Sequence, residues 1–355
     1  MATQRFGPTV VESAAESTEE LGFLSAIMDD QLDEAPKLVY ADWLEERDDP
    51  RGTFLREFVR LARTPGTPLP SGDQFPYSWR QVVGIQPLHL IRETLAGEDT
   101  DVDIEALEQD LMRRLQPTLY LLGTPAKDKD FPPGATKFGG RPDLPPDVEW
   151  PADSDHEADK PIAGIFCAQV RLSDLRGTLA GLKLPTEGLM SFFADAQRVP
   201  VRYFRSEAGP FVRRPPPAAR DRAARFNKGF FPLPTRALRV IEGADFLIRY
   251  HADLWPTGVL EENWEGLEFL ADAMLPRPFR FGGGDYVAHH QLLGNGSEPN
   301  GSSGPDMEPG FCRLAWFDSE HGDSFDWAEG GKPVFYIAKE DLASGRFENA
   351  ISFCG

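Results

Sequence analysis

Five side chains in the last third of the chain could do chemistry together: Asp285, His289, His290, His321 and Asp323. Imidazoles and carboxylates are the ligand set of a divalent metal, and Glu320 or Glu329 lies close enough along the chain to polarise a metal-bound water. One reading is therefore a metal-dependent hydrolase using Asp285, His290 and His321. Against it, His289 and His290 are adjacent, and neighbours on a strand point to opposite faces, so at most one of them joins a given site. The plainer reading makes His290 a hydrogen-bonded structural residue and leaves His289 and His321 in solvent.

Other chemistries find less support. Cys167, Cys312 and Cys354 form neither a CxxC pair nor a disulfide framework. Cys167 sits in the apolar run Ile165-Phe166-Cys167-Ala168 and reads as a small buried hydrophobe. Cys312 and Cys354 lie on strand-like segments with no helix N-terminus to lower a thiol pKa. There is no G-x-S-x-G elbow for a serine nucleophile. Gly282-Gly283-Gly284 runs into Asp285, which repels phosphate, so it reads as a turn. In Lys137-Phe138-Gly139-Gly140-Arg141-Pro142, Lys137 and Arg141 could clamp an acidic group. The structural alternative, which we favour, is a tight glycine turn that brings Phe138 and Trp150 into a core. On that reading Gly140→Val harms folding and not a chemical step.

These residues need a frame to position them. The chain has 355 residues, enough for two domains, with 33 Gly and 32 Pro marking many turns. Its 37 basic and 57 acidic residues give a formal net charge of −20, which repels nucleic-acid backbones and anionic membranes. The basic stretch from Arg213 to Arg225, broken by Pro215, Pro216 and Pro217, reads as a solvated loop. The start, Met1 to Phe6, lacks the basic and apolar pattern of a secretion signal, and no apolar run reaches a membrane-spanning length. A cytoplasmic protein without a cofactor is expected.

Residues 1–18 read as a flexible leader. Between 19 and 63 the apolar spacing is helical: Leu21, Leu24, Ile27 and Met28 share one face. Pro36 suits the first turn of a second helix that Asp48-Asp49-Pro50 ends, and Phe54, Leu55, Phe58, Val59 and Leu61 mark a third. Residues 64–117 form a turn-rich linker followed by an amphipathic helix over 101–115. From 118 to 355, short apolar runs alternate with Gly, Pro and Asp clusters. Strands are expected at 162–170, 188–193, 238–241, 311–317 and 333–337, giving an α+β protein with a mixed, largely antiparallel sheet. A strand, a loop and a Gly-started strand occur twice, at Ile165–Val170 with Gly188–Phe193 and at Arg313–Asp318 with Gly331–Tyr336. This repetition points to an internal duplication.

Two family resemblances attach to these segments. The run Leu38-Val39-Tyr40-Ala41-Asp42-Trp43-Leu44-Glu45-Glu46, with Asp49-Pro50-Arg51, resembles the bacterial repeat-companion domain, which implies a recruitment module. Asp42 reads there as structural, bonded to a helix end or to Arg51. The larger part resembles the YwqG-like family, a bacterial group catalogued as a domain of unknown function (DUF1963). The blocks that carry it are Lys137 to Pro145 with Trp150-Pro151, Ala168-Gln169-Val170, Leu184-Pro185-Thr186-Glu187-Gly188-Leu189, His290-Gln291-Leu292-Leu293-Gly294, Asp318-Ser319-Glu320, Gly331 to Ile337, and Glu340-Asp341-Leu342 with Phe347. The chain departs from the family at Trp327-Ala328-Glu329-Gly330-Gly331 and at Asn295-Gly296.

The resemblance implies a fold, and a non-enzymatic role in bacterial conflict, where an acidic immunity protein neutralises a basic toxin or effector. Opposite charge would speed such an encounter. The expected binding surface lies in the cleft between the duplicated halves and uses His290, Gln291, Trp316, Asp318, Trp327 and Glu329, with Arg141 from the glycine turn; besides the hydrolase, a small-ligand sensor using that cleft is the other alternative.

Overall fold

The computed structural model describes residues 9–95, 104–153, 162–194, 199–216, 232–246, 270, 273–276, 289–294, 310–319, 327 and 332–354. Helices come first. Helix α1 (Thr18–Asp29) starts at Ser17, whose hydroxyl accepts from the Glu20 N–H. Helix α2 (Glu34–Glu45) is capped by Asp33, and α3 (Pro50–Ala62) by Asp49, with proline at its first position. Each cap gives an orphan N–H of the first turn an acceptor. Leu24, Ile27, Tyr40, Leu44, Leu55 and Phe58 fill the space between the three. At Gly52 a Cβ would stand 2.7 Å from the Ala41 carbonyl oxygen, so glycine lets α2 and α3 approach this closely.

The helical unit does not stop at residue 63. Helices α4 (Tyr77–Val82) and α5 (Ile85–Leu95) follow, then α6 (Ile104–Arg113). Trp79, Val82 and Ile85 join the same core as the first three helices, so the segment read as a linker is part of the packed unit. Its centre is polar and closed. The Tyr40 hydroxyl donates to Glu20 Oε1 at 2.5 Å and accepts from Trp79 Nε1 at 3.0 Å, while Arg51 reaches Glu20 at 2.9 Å and Asp49 at 2.6 Å. Asp42 is ion-paired with Arg56 instead of the expected Arg51.

Among the described residues eleven strands form one large sheet around a long central pair, β2 (Leu115–Pro125) and β11 (Arg236–Phe246), while β4 (Asp143–Leu144) with β10 (Val212–Arg213) and β5 (Ala152–Asp153) with β6 (Ile162–Ala163) make two small pairs apart from it. The central two run antiparallel from Leu115↔Phe246 to Pro125↔Arg236. On the β11 side come β3 (Lys137–Phe138), β7 (Ile165–Arg171), β8 (Leu189–Ala194) and β9 (Val201–Phe204). On the β2 side come β12 (His289–Leu293), β13 (Phe311–Trp316), β14 (Pro333–Ala338) and β15 (Ile351–Cys354). Every pair along this path is antiparallel, and the fold is α+β as expected. The two repeated segments become matching hairpins, β7–β8 and β13–β14, each with a register shift in its first strand. The halves also exchange strands: β3 follows β2 along the chain but pairs with β11, while β12 follows β11 but pairs with β2.

The flanks curl toward each other. Phe192 of β8 packs on Phe335 of β14 with ring centroids 5.2 Å apart, and Phe317 lies 5.4 Å from Phe192. Tyr203 of β9 meets Phe347 at 5.0 Å. Leu119, Leu121, Val240, Ala168 and Leu292 line this interior. The opposite face carries Tyr120 and Ile241 against Tyr77 of α4, which docks the helices on the outside of the curl.

Residues 10–12 are not a free leader. They form β1 (Val10–Glu12), which adds to β11 in parallel at Arg239–Ile241. Buried Glu242 holds the following turn, accepting from the Ala14 N–H at 2.8 Å, the Ser13 hydroxyl at 3.2 Å and the Leu179 N–H. Among the described residues no helix is long and apolar enough to cross a membrane.

Candidate functional site

His290 lies inside the curl. Its ring stacks on Phe138 at 4.1 Å and 11°, and its Nδ1 accepts from the Asp318 backbone N–H at 3.0 Å. In the neutral ring the proton therefore sits on Nε2. Burial, with smaller contributions from Arg236 and Lys332, lowers the pKa from 6.5 to about 3. In this state the ring offers no free basic nitrogen. Trp327 closes the same corner, donating from Nε1 to the Asp318 carbonyl at 3.2 Å and from its N–H to the Ser319 hydroxyl at 3.0 Å.

Gln291 points to the other face. Its Oε1 accepts from Trp316 Nε1, and its Nε2 donates to Thr118 at 2.7 Å and Asp245 at 3.0 Å. Lys332 links the two groups at the strand end, 3.2 Å from Asp318 and 4.4 Å above the Trp316 ring. The structure thus brings together His290, Asp318 and Trp327, and separately Gln291 and Trp316. All five are at most 1% exposed, so they brace the sheet from within. Arg141 is exposed. Asp285, His321, Asp323, Glu320 and Glu329 lie outside the described residues. Among the described residues no three His, Cys, Asp or Glu side chains form a potential metal group.

The glycine turn is also internal. Gly139 and Gly140 have φ of +64° and +70°. A Cβ at Gly140 would meet Thr235 Oγ1 at 2.6 Å and Asp128 Oδ1 at 2.8 Å, which gives the folding defect expected of Gly140→Val its cause. Lys137 is wholly buried, donating to Asp128 at 2.6 Å and to the Arg141 carbonyl at 2.6 Å, with Asp143 3.7 Å away. Asp143 in turn accepts from Arg213 at 2.9 and 3.1 Å, from Gln169 at 2.9 Å and from the Gly134 N–H at 3.0 Å. These contacts to Arg213, Lys137 and Gln169 outweigh burial and hold the Asp143 carboxyl below the usual range. Lys137 is thus committed to holding the turn. Arg213, read from the sequence as part of a solvated loop, is a member of the same internal network.

An open cleft lies elsewhere, between the two flanks. Its volume is about 730 Å³, and it is walled on one side by Leu182–Glu187 with Tyr203 and Arg205. On the other side stand Lys339 and Leu342–Gly345, from helix α7 (Lys339–Ser344) and its end. Lys183, Arg205 and Lys339 project here, and among the described residues none of them is hydrogen-bonded or ion-paired. Glu187, the one carboxylate in the lining among the described residues, leans toward exposed Arg176 at 4.0 Å. Leu182 stands 58% exposed at the rim.

Beneath the cleft, Cys312 has basic neighbours supplied by the fold from distant parts of the chain. Burial still wins over Lys339 and Lys183 and pushes the thiol pKa up, so Cys312 is not activated. The sequence reading missed Lys183, Arg205 and Lys339. The available signal was that Leu184–Leu189 and Glu340–Leu342, two blocks already singled out, adjoin two of these cations.

Comparison with known families fits this geometry in part. Residues 136–215 match the model of a domain of unknown function (DUF1963). The matched segment holds the first flank, the Lys137–Asp143–Arg213 network and one wall of the cleft. Helix α7 and the His290 corner fall outside it. No curated protein matches the chain.

Proposed function

We propose that this chain is a non-enzymatic, immunity-like protein-binding factor of the cytoplasm. It grips a protein partner in the cleft between the flanks, and the N-terminal helices serve as a recruitment module. The observation that carries this reading is the convergence on one open cleft of three cations unpaired among the described residues, in a chain of net charge −20. His290, Gln291, Trp316, Asp318 and Trp327 support it from behind, since their polar atoms engage one another and keep the flanks in place.

The net charge itself favours a second reading, in which a basic toxin or effector docks on the acidic outer surface and the cleft plays no part. Affinity capture from the host with the full chain, read by mass spectrometry, separates the two. A dominant partner lost on Lys183→Glu/Lys339→Glu supports the cleft. A basic partner held equally by that variant overturns the cleft reading in favour of the acidic surface.

A further inference from the structure

The lining of the cleft restricts what it can take. Lys183, Arg205 and Lys339 alternate around it with Leu182, Leu184, Pro185, Tyr203 and Leu342. Burial lowers the Lys183 pKa against the opposing pull of Cys312 and Asp29, and Lys339 adds the smallest part, so the two ammonium groups sense each other. Like charges gathered at one opening carry a cost that an anionic ligand relieves. At about 730 Å³ the cleft lies within the range of ligand clefts, roughly 300–1,000 Å³, and far exceeds a single inorganic anion. Such an anion would also leave the apolar side chains without contacts. A nucleic acid would satisfy the cations but would carry its phosphates onto a surface whose remaining charge is strongly negative.

We infer that the cleft takes a short acidic peptide segment of a protein partner. Its carboxylates lie against Lys183, Arg205 and Lys339, and an apolar side chain lies against Leu182, Tyr203 and Leu342. The inference rests on the reading of the cleft as the partner site and adds the partner's chemistry. Arg205 can hold a carboxylate through two parallel N–H donors, while the lysines act as point charges on either wall. The exposed Leu182 side chain supplies the apolar contact that separates an acidic peptide from a free anion.

The probe is a fluorescein-labelled hexapeptide alternating glutamate and leucine, titrated into the full chain and followed by anisotropy. Saturable binding is expected, weakened about tenfold or more by Lys183→Glu/Lys339→Glu and by raised salt. A matched glutamine–leucine peptide should bind at least about tenfold more weakly. Arg205→Gln, at an exposed position, serves as an independent variant and should also weaken binding.

Equal binding of the glutamine peptide would overturn the inference. So would equal binding by both variants, displacement by inorganic phosphate or a short oligothymidylate at the peptide's own concentration, or no binding at all. The capture experiment fails separately. A partner lost with the charge-reversed cleft, together with no peptide binding, removes the acidic-peptide chemistry and leaves the cleft as the contact. A partner retained removes both.

Discussion

The His290 corner and the cleft beside α7 use similar residues in opposite ways. In the first, imidazole, carboxylate, indole and amide groups are buried and donate or accept among themselves. In the second, two lysines and an arginine stand at an opening, their side chains in no hydrogen bond or ion pair among the described residues. A residue type capable of chemistry says little until its partners are known. Buried polar groups are costly unless satisfied, and of the cluster singled out in the sequence His290 is the member whose side chain the structure describes, held through Nδ1 by the Asp318 N–H and stacked on Phe138. The cations that remain unpaired are the ones with capacity left for a ligand.

The contrast can be broken or sharpened by mutation, beginning where the effect should be largest. Asp143→Ala leaves Lys137 and Arg213 facing each other without their central carboxylate. It should cost about 3–5 kcal/mol in denaturant unfolding, and a loss under 1 kcal/mol would mean the network is not structural.

Next come two buried groups that titrate in opposite senses. His290 stays neutral in the folded chain down to about pH 3, while in the unfolded chain it charges near 6.5, so its contribution to stability is lost as pH falls between those values. Glu242, raised from 4.5 to about 7 by burial against its hydrogen bonds to Ala14, Leu179, Ser13 and Ala180, contributes stability at low pH that is lost as pH rises through that window. Between pH 4.5 and 6.5 the two slopes oppose each other. His290→Leu should therefore leave a protein that gains about 2 kcal/mol on acidification across this range, relative to its own value at the upper end. Urea midpoints at both ends check this, and a flat profile would remove the assigned titrations.

Tyr40→Phe, which strands Trp79 Nε1 and removes one of the donors to Glu20, should cost about 1–3 kcal/mol. Smallest is Lys183→Met/Lys339→Met, which should leave stability within about 0.5 kcal/mol while abolishing capture of the partner. A large loss of stability there would make the cleft cations structural after all.

Much of the frame was legible locally. The three N-terminal helices announced themselves by spacing and caps, and the β7–β8 and β13–β14 hairpins by apolar runs between glycines. Strand β2 was not legible, because the Leu107, Leu111 and Leu115 stripe invited the helix to run on to 115 and Pro117 obscured what followed. Helices α4 and α5 were hidden in a stretch punctuated by Gly72, Pro76, Gly84 and Pro87. The cleft was the least legible feature. Its walls come from residues near 184, 204 and 342, and no local pattern records that the sheet curls to bring them together.

The strand exchange at the centre of the sheet has a consequence for how the chain is made. Strands β2 and β3 emerge from the ribosome long before β11, the strand both must pair with, and the β1 slot likewise waits for residues 239–241. The N-terminal helices can collapse early, but neither half of the sheet can be completed without the other. Contacts this distant in sequence make for slow closure and a long interval with unpaired edges. A fragment beginning at residue 118 would lack β1 and leave Glu242 without Ala14 and Ser13. Closure of the sheet thus waits for β11, and a premature stop before that strand leaves β1, β2 and β3 without the partner they share.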